Sequence, residues 1–204
     1  MKLSTTRSRW GVPLFDNNYR GLPANSFNLL ETVDRFSGLL GIACFIKTGL
    51  EQGETVTLIA FDSPENVLQK FANLGFDFSD AIDSERLLIL SYKPTFTRSL
   101  NISTDYQALF AEIDNFSDSK STRLAFLNAD LLFNLESYNL TTISVSKIHH
   151  AAQNIAGTIL AQFTTVDDIP HRRLRNISAS LLDCYLVISR KEDNKMSLEV
   201  KTYH

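Results

Sequence analysis

Short runs of β-branched and aliphatic residues alternate along this chain with segments whose apolar residues recur at three- and four-residue spacing. A strand followed by a helix and then another strand buries both apolar surfaces only as βαβ units, so the alternation argues for a mainly parallel sheet. Phe27 to Leu30, within the apolar stretch Ser26 to Glu31, reads as the first inner strand. Leu39, Leu40, Ala43, Ile46 and Leu50 then lie on one helical stripe that starts near Ser37 and closes at Gly49 or Gly53. Thr55 to Phe61 is the second strand, and Ser63-Pro64 supplies a hydroxyl cap and a first-turn proline for a helix burying Val67, Phe71 and Leu74. Arg86 to Ser91 is a third strand, followed by a helix marked by Tyr106, Leu109, Phe110 and Ile113. After the polar stretch Asn115 to Thr122, Arg123 to Leu127 reads as a fourth strand. Ile143, Ile148, Ala151 and Ile155 suit a helix reaching about to Gly157, before the strand Thr158 to Thr164. The end of the chain reads as a strand pair, Cys184 to Ser189 and Met196 to Thr202, joined by the charged turn Arg190 to Lys195.

At 204 residues, without an internal repeat or an evident linker, this pattern fits one α/β domain, with residues 1–10 as a candidate N-terminal arm. The net charge of −3 gives no global field toward nucleic acid or an anionic membrane. No apolar run is long enough to span a bilayer. Lys2, Arg7 and Arg9 are not followed by the apolar core of a secretion signal. Cys44 and Cys184 both fall in expected buried elements, which reads as two packed thiols and a cytoplasmic chain. No Cys/His cluster offers a ligand set for zinc.

From Gly11 onward the order of elements resembles the KaiC/RadA branch of the RecA-like ATPases. The fragments that carry the resemblance are Gly11-Val12-Pro13-Leu14-Phe15-Asp16 and Gly21-Leu22-Pro23-Ala24-Asn25-Ser26, ahead of the first strand. They continue with Gly49-Leu50-Glu51-Gln52-Gly53-Glu54, Phe61-Asp62-Ser63-Pro64-Glu65, Leu74-Gly75-Phe76-Asp77 and the strand opening at Arg86. The second half matches only in its alternation of elements and in the closing strand pair. The resemblance implies a RecA-like three-layer domain with a mainly parallel central sheet and a C-terminal antiparallel strand pair.

The same resemblance marks what is missing. A phosphate cradle needs glycines that turn backbone N–H groups inward, a Lys for the β/γ-phosphates and a Ser/Thr hydroxyl for Mg²⁺. The corresponding stretch is Thr32-Val33-Asp34-Arg35-Phe36-Ser37-Gly38-Leu39-Leu40. The family's lysine would fall near Gly38 and its hydroxyl near Leu39, while Lys47 stands well inside the helix. Asp34 puts a negative charge where a triphosphate would lie, and Phe36 is expected to fill the space of the ligand. Asn128 follows the fourth strand where the family's metal-orienting acid belongs, with Asp130 two residues late. Of the family's paired acids after the second strand, only Asp62 is left.

The implied function is that of a non-catalytic regulatory or scaffolding subunit, as in the ATPase-dead RecA-like subunits of the Elongator ring and the N-terminal domain of the cellulose-secretion regulator. Its vacated nucleotide site is Asp34, Arg35, Phe36, Ser37, Gly38 and Leu39, with Phe36, Leu39 and Leu40 packed into or beside it. No catalytic, cofactor-binding or metal-binding residue is assigned. Protein partners, in a homo- or hetero-oligomer, are expected to meet Trp10 on the arm and the cluster His171, Arg172, Arg173 and Arg175. Two alternatives stay open: a nucleotide or cyclic-dinucleotide sensor using Asp34 and Arg35, and an RNA-binding ring subunit using Arg172, Arg173 and Arg175.

Several other residues read more plainly. His149 and His150 are adjacent on a helix and diverge by about 100°, so they are expected to be solvated and not to share an ion. Asp62, Asp77, Asp80 and Asp83 read as an acidic loop rim, and of Phe76 and Phe78 at least one is expected at the surface.

Overall fold

In a computed structural model of the protein, residues 7–91, 123–133, 137–155, 157–190 and 196–203 are described. The expected helix around Tyr106 to Ile113, the stretch Asn115 to Thr122 and most of the turn Arg190 to Lys195 lie outside these residues, as do residues 1–6 of the arm.

Seven strands form one sheet: β3 (Phe27–Thr32), β4 (Val56–Ala60), β5 (Leu87–Ser91), β6 (Arg123–Phe126), β7 (Thr158–Thr164), β8 (Cys184–Arg190) and β9 (Met196–Tyr203). Their spatial order is β5-β4-β6-β7-β3-β8-β9. All neighbours are parallel except the closing pair β8 and β9. Ahead of them, the short strands β1 (Arg7–Ser8) and β2 (Leu22–Pro23) pair antiparallel around α1 (Pro13–Tyr19).

Successive side chains of a strand point to opposite faces, and here the two faces feed two separate cores. Leu30, Leu58, Ala60, Ala125, Leu160 and Leu186 pack with α2 (Arg35–Glu51), α3 (Pro64–Asn73) and α4 (Ser79–Asp83). Leu29, Ile59, Leu124, Phe126, Ile159 and Tyr185 pack with α5 (Tyr138–Ile155) and α6 (Ile169–Leu181). The sheet therefore lies between two helical layers, which is why its inner strands read as continuous apolar runs and not as alternating ones.

Helix α2 begins at Arg35, two residues before the expected start near Ser37, because Asp34 caps it. It ends at Glu51, and Gly53 then takes the left-handed conformation (φ 78°) that an L side chain disfavours. Ser63 caps α3 with Pro64 in the first turn, as the sequence predicts.

The N-terminal stretch corrects one expectation. Trp10 is fully buried in its own chain, and its indole N–H donates to the Gly41 carbonyl at 2.9 Å. Phe15 meets it edge-on at 5.3 Å, and the Asp16 carboxylate accepts the backbone N–H groups of Trp10 and Gly11. An indole enclosed on α2 has no area left for a neighbouring subunit, so Trp10 anchors the arm internally.

At the amino edge of the sheet Arg123 is also fully buried. Its guanidinium donates to the Glu54 carboxylate, to the carbonyls of Arg9 (2.7 Å) and Phe45 (3.0 Å), and to Gln52 Oε1 (2.9 Å). One side chain thereby joins the arm, the end of α2 and strand β6.

Candidate functional site

In an open α/β sheet, ligands gather at the carboxyl ends of the strands where neighbouring strands send their helices to opposite faces. Here that place lies between β3, whose chain continues into α2, and β7, whose chain continues into α6. The turn Val33-Asp34 after β3 is the stretch that the resemblance assigns to phosphate binding.

The chain closes this corner on itself. Asp34 Oδ1 accepts the backbone N–H of Ser37 at 2.7 Å, Oδ2 accepts the Ser37 hydroxyl at 3.1 Å, and the Asp34 carbonyl accepts the N–H of Gly38 at 3.2 Å. A helix N-terminus draws anions because its first N–H groups lack partners and its dipole is positive there. In α2 a carboxylate of the chain itself already stands in that position.

Gln162 of β7 fills the space behind it. Its side chain is buried; Nε2 donates to Thr32 Oγ1 at 3.0 Å and Oε1 accepts the N–H of Asn128 at 3.2 Å. A Cβ placed on Gly38 would stand 2.4 Å from that Nε2, so α2 rests directly on the amide. Three strand ends, β3, β6 and β7, are thus tied together by one neutral side chain.

Phe36 departs from the expectation. It is 63% exposed and does not fill the corner between β3 and β7; Leu40 is 37% exposed and Leu39 is half-buried. Leu131, Val166 and Ile169, in or next to the turns after β6 and β7, are 46%, 43% and 62% exposed. Burial of apolar surface is the main force available to such residues, and Phe36, Leu131, Val166 and Ile169 stand exposed at the carboxyl edge. Asp130 and Arg35 lie among them, close enough for the cation to favour the charged carboxylate, although burial is the larger influence and raises the Asp130 pKa.

The basic cluster after β7 does not act as one group. His171 is buried; its Nδ1 lies 2.8 Å from Asp168 Oδ1, Asp130 Oδ2 is 3.9 Å from its Nε2, and its ring stacks on Phe163. Arg175 turns inward. Its Nε donates to Glu31 Oε1 at 2.8 Å, and Glu31 also accepts the Thr165 hydroxyl at 2.9 Å and the Tyr185 hydroxyl. Burial, with the bond to Glu31, pushes the Tyr185 pKa up. Arg172 is exposed and pairs with Asp167 at 3.4 Å. Arg173 is half-buried. The expected patch of three arginines therefore loses Arg175 to a part-buried ion pair with Glu31 of β3.

Sequence reasoning alone assigns no role to Glu31 or Gln162. Both are polar residues inside runs that read as inner strands, and a polar group buried there needs a partner. That requirement was the available signal.

Elsewhere the expectations hold in part. Asp62 accepts Lys70 at 2.5 Å, and the bonds from Lys70, Asn66 and the Ser63 backbone hold its pKa down at about 2. Asp77, Asp80 and Asp83 are exposed in and just ahead of α4. Phe76 is half-exposed and Phe78 is buried. His149 lies 3.5 Å from Asp183 while His150 faces solvent. Both cysteines are free thiols; burial raises the pKa of each, that of Cys184 to about 12. Among the described residues no group of three His, Cys, Asp or Glu is placed to hold a metal, and no helix is long and apolar enough to cross a membrane.

No protein-family model matches the chain, and a search of curated proteins finds no relative.

Proposed function

We propose that this chain is a RecA-like domain without nucleotide chemistry, acting as a regulatory or scaffolding subunit that binds another protein at the carboxyl edge of its sheet. The observation that carries the reading is the Asp34 carboxylate on the first turn of α2. A triphosphate approaching that turn would meet a fixed negative charge where it needs free N–H donors, and a charge-assisted hydrogen bond is worth roughly 1.5–3 kcal/mol. The strand order also supports it, with the first inner strand held between the late strands β7 and β8. Phe36, Leu131, Val166 and Ile169 supply the apolar contact that a protein partner would cover.

Two measurements test this reading. Calorimetry with Mg²⁺-ATP, Mg²⁺-GTP and a cyclic dinucleotide is expected to give no binding heat. Saturable binding of any of them, lost on Arg35→Ala, would replace the scaffold with a nucleotide sensor. A photo-crosslinking residue placed at Phe36 or Ile169 in the native cell is expected to capture the same protein from both positions. Capture must be lost on Leu131→Asp at unchanged melting temperature; RNA as the captured species, or no capture, overturns the proposal.

A further inference from the structure

Where α2 ends, at the amino edge of the sheet, the loop between α3 and α4 and the turn before β5 form an open cavity of about 340 Å³. That volume lies at the small end of the range for small-molecule sites. Leu50, Phe76, Phe78 and Ala81 supply apolar lining, and Arg86 and Asp80 line the same hollow. We infer that it binds a free α-amino acid with a large apolar side chain. The ligand's carboxylate meets Arg86, its ammonium meets Asp80 and Asp77, and its side chain lies against Leu50, Phe76 and Phe78.

The charges of the lining select that ligand. Lys47 and Glu51 answer each other at 3.7 Å across one turn of α2, with 57% and 63% of their side chains exposed. Arg86 has only neutral partners among the described residues: Nη1 donates to the Leu50 carbonyl at 3.2 Å and Nε to the Ser84 hydroxyl at 3.3 Å. Those two bonds hold the guanidinium in place and leave Nη2 uncommitted. Asp80 carries the opposite charge on the same cavity, and among the described residues its carboxylate has neither a hydrogen bond nor an ion pair. Asp77 commits Oδ1 to the Ser79 N–H at 3.0 Å. A ligand bearing only a carboxylate would leave Asp80 unanswered, and one bearing only an amine would leave Arg86 unanswered. A zwitterion answers both, and a guanidinium fork matches a carboxylate in two parallel bonds.

The apolar part of the lining is anchored and yet accessible. Phe78 is buried and meets the buried Phe71 edge-on at 5.3 Å, while the half-exposed Phe76 stacks on Phe78 at 6.0 Å. An apolar side chain laid there would cover aromatic surface that the chain itself leaves open. This inference stands apart from the carboxyl-edge reading, because the cavity lies at the opposite end of the strands.

Amide chemical-shift titrations of the native chain with L-phenylalanine and with L-leucine test it. Saturable shifts at Phe76, Asp77, Asp80 and Arg86 are expected. Phenylalanine amide, which lacks the carboxylate, and N-acetylphenylalanine, which lacks the ammonium, are each expected to bind about threefold or more weakly than L-phenylalanine. Asp80→Asn breaks no hydrogen bond of the described chain, so the variant is expected to keep its melting temperature. It is expected to lose about threefold or more in affinity for L-phenylalanine and none for N-acetylphenylalanine. Arg86→Gln is expected to lose affinity for L-phenylalanine and none for the amide. The inference is overturned by an absence of saturable shifts with either amino acid, by shifts that saturate elsewhere on the chain, or by equal affinity for the three phenylalanine compounds.

Discussion

Gln162 and Gly38 meet at the corner where β3 turns into α2, so closely that a Cβ on the glycine would lie 2.4 Å from the amide nitrogen. The amide cannot simply swing aside, because it holds Thr32 Oγ1 and the Asn128 N–H. Gly38→Ala gains about 1 kcal/mol of helix propensity and is nevertheless expected to lower stability by roughly 1–3 kcal/mol through overpacking. Gln162→Ala removes the obstruction, so the double variant is expected to cost at least about 0.5 kcal/mol less than the two single costs added. Urea unfolding of all four proteins measures this cycle, and strict additivity would mean that the contact is not felt.

Asp34 makes a second, separable prediction. As the cap of α2 it satisfies the Ser37 N–H at 2.7 Å, and Asp34→Ala is expected to cost about 1 kcal/mol. For a chain of this size that is about 2–4 °C in melting temperature. Asp34→Ser keeps an acceptor at the cap and is expected to recover most of the loss. Equal losses from Ala and Ser would show that the charge and not the hydrogen bond matters here.

The alternation that predicted a parallel sheet was legible because each inner strand is covered on both faces and so carries no polar residue unless something fixes it. Phe27–Leu30, Val56–Ala60 and Leu124–Phe126 are buried throughout and are legible for that reason. The short elements β1, α1 and β2 are not legible, since their order comes from contacts such as Trp10 on Gly41 that link residues distant in the chain. The same holds at the site. The absence of a cradle is visible in residues 32–40, whereas Gln162 filling the gap and Arg175 turning in to Glu31 depend on strands 130 or more residues away. The exposure of Phe36 is not legible in the sequence, because a side chain at the start of a helix reads the same whether it faces a cavity or solvent.

Arg123 gives the largest expected stability effect. Its guanidinium is fully enclosed and its bonds reach Glu54, Gln52 and the carbonyls of Arg9 and Phe45, which themselves would lose their donors. Breaking a buried ion pair by deleting one partner costs about 3–5 kcal/mol. Arg123→Ala is expected to fall in that range by urea unfolding and to expose the arm, read as faster proteolysis ahead of α1. Arg123→Met retains the stem packed on the Phe45 ring and is expected to cost less. A loss below about 0.5 kcal/mol for Arg123→Ala, the size expected of an ordinary surface change, would show that the arm is held by other contacts.

The two carboxylates flanking His171 are expected to act on stability with opposite signs. Asp168 lies 2.8 Å from Nδ1 and also caps α6 by accepting the His171 N–H; that backbone bond, with the imidazole and Arg175 nearby, lowers its pKa. Asp130 lies 3.9 Å from Nε2, and burial raises its pKa despite His171 and Arg35. A lowered folded-state pKa means that the Asp168 contribution is present above the ordinary carboxyl range and disappears as pH falls through the depressed value. A raised one means the reverse for Asp130: the native state favours its protonated form, so stability is lost as pH rises through the elevated value. At neutral pH, Asp130→Asn is therefore expected to raise the melting temperature and Asp168→Asn to lower it. Both differences are expected to shrink in acid, that of Asp130 once pH falls below the ordinary carboxyl range and that of Asp168 only once pH falls through its depressed value. Differential scanning calorimetry of the three proteins from neutral to acid pH reads the signs directly. Shifts in the same direction at neutral pH, or differences that persist undiminished in acid, would mean that packing and not ionisation governs this pair.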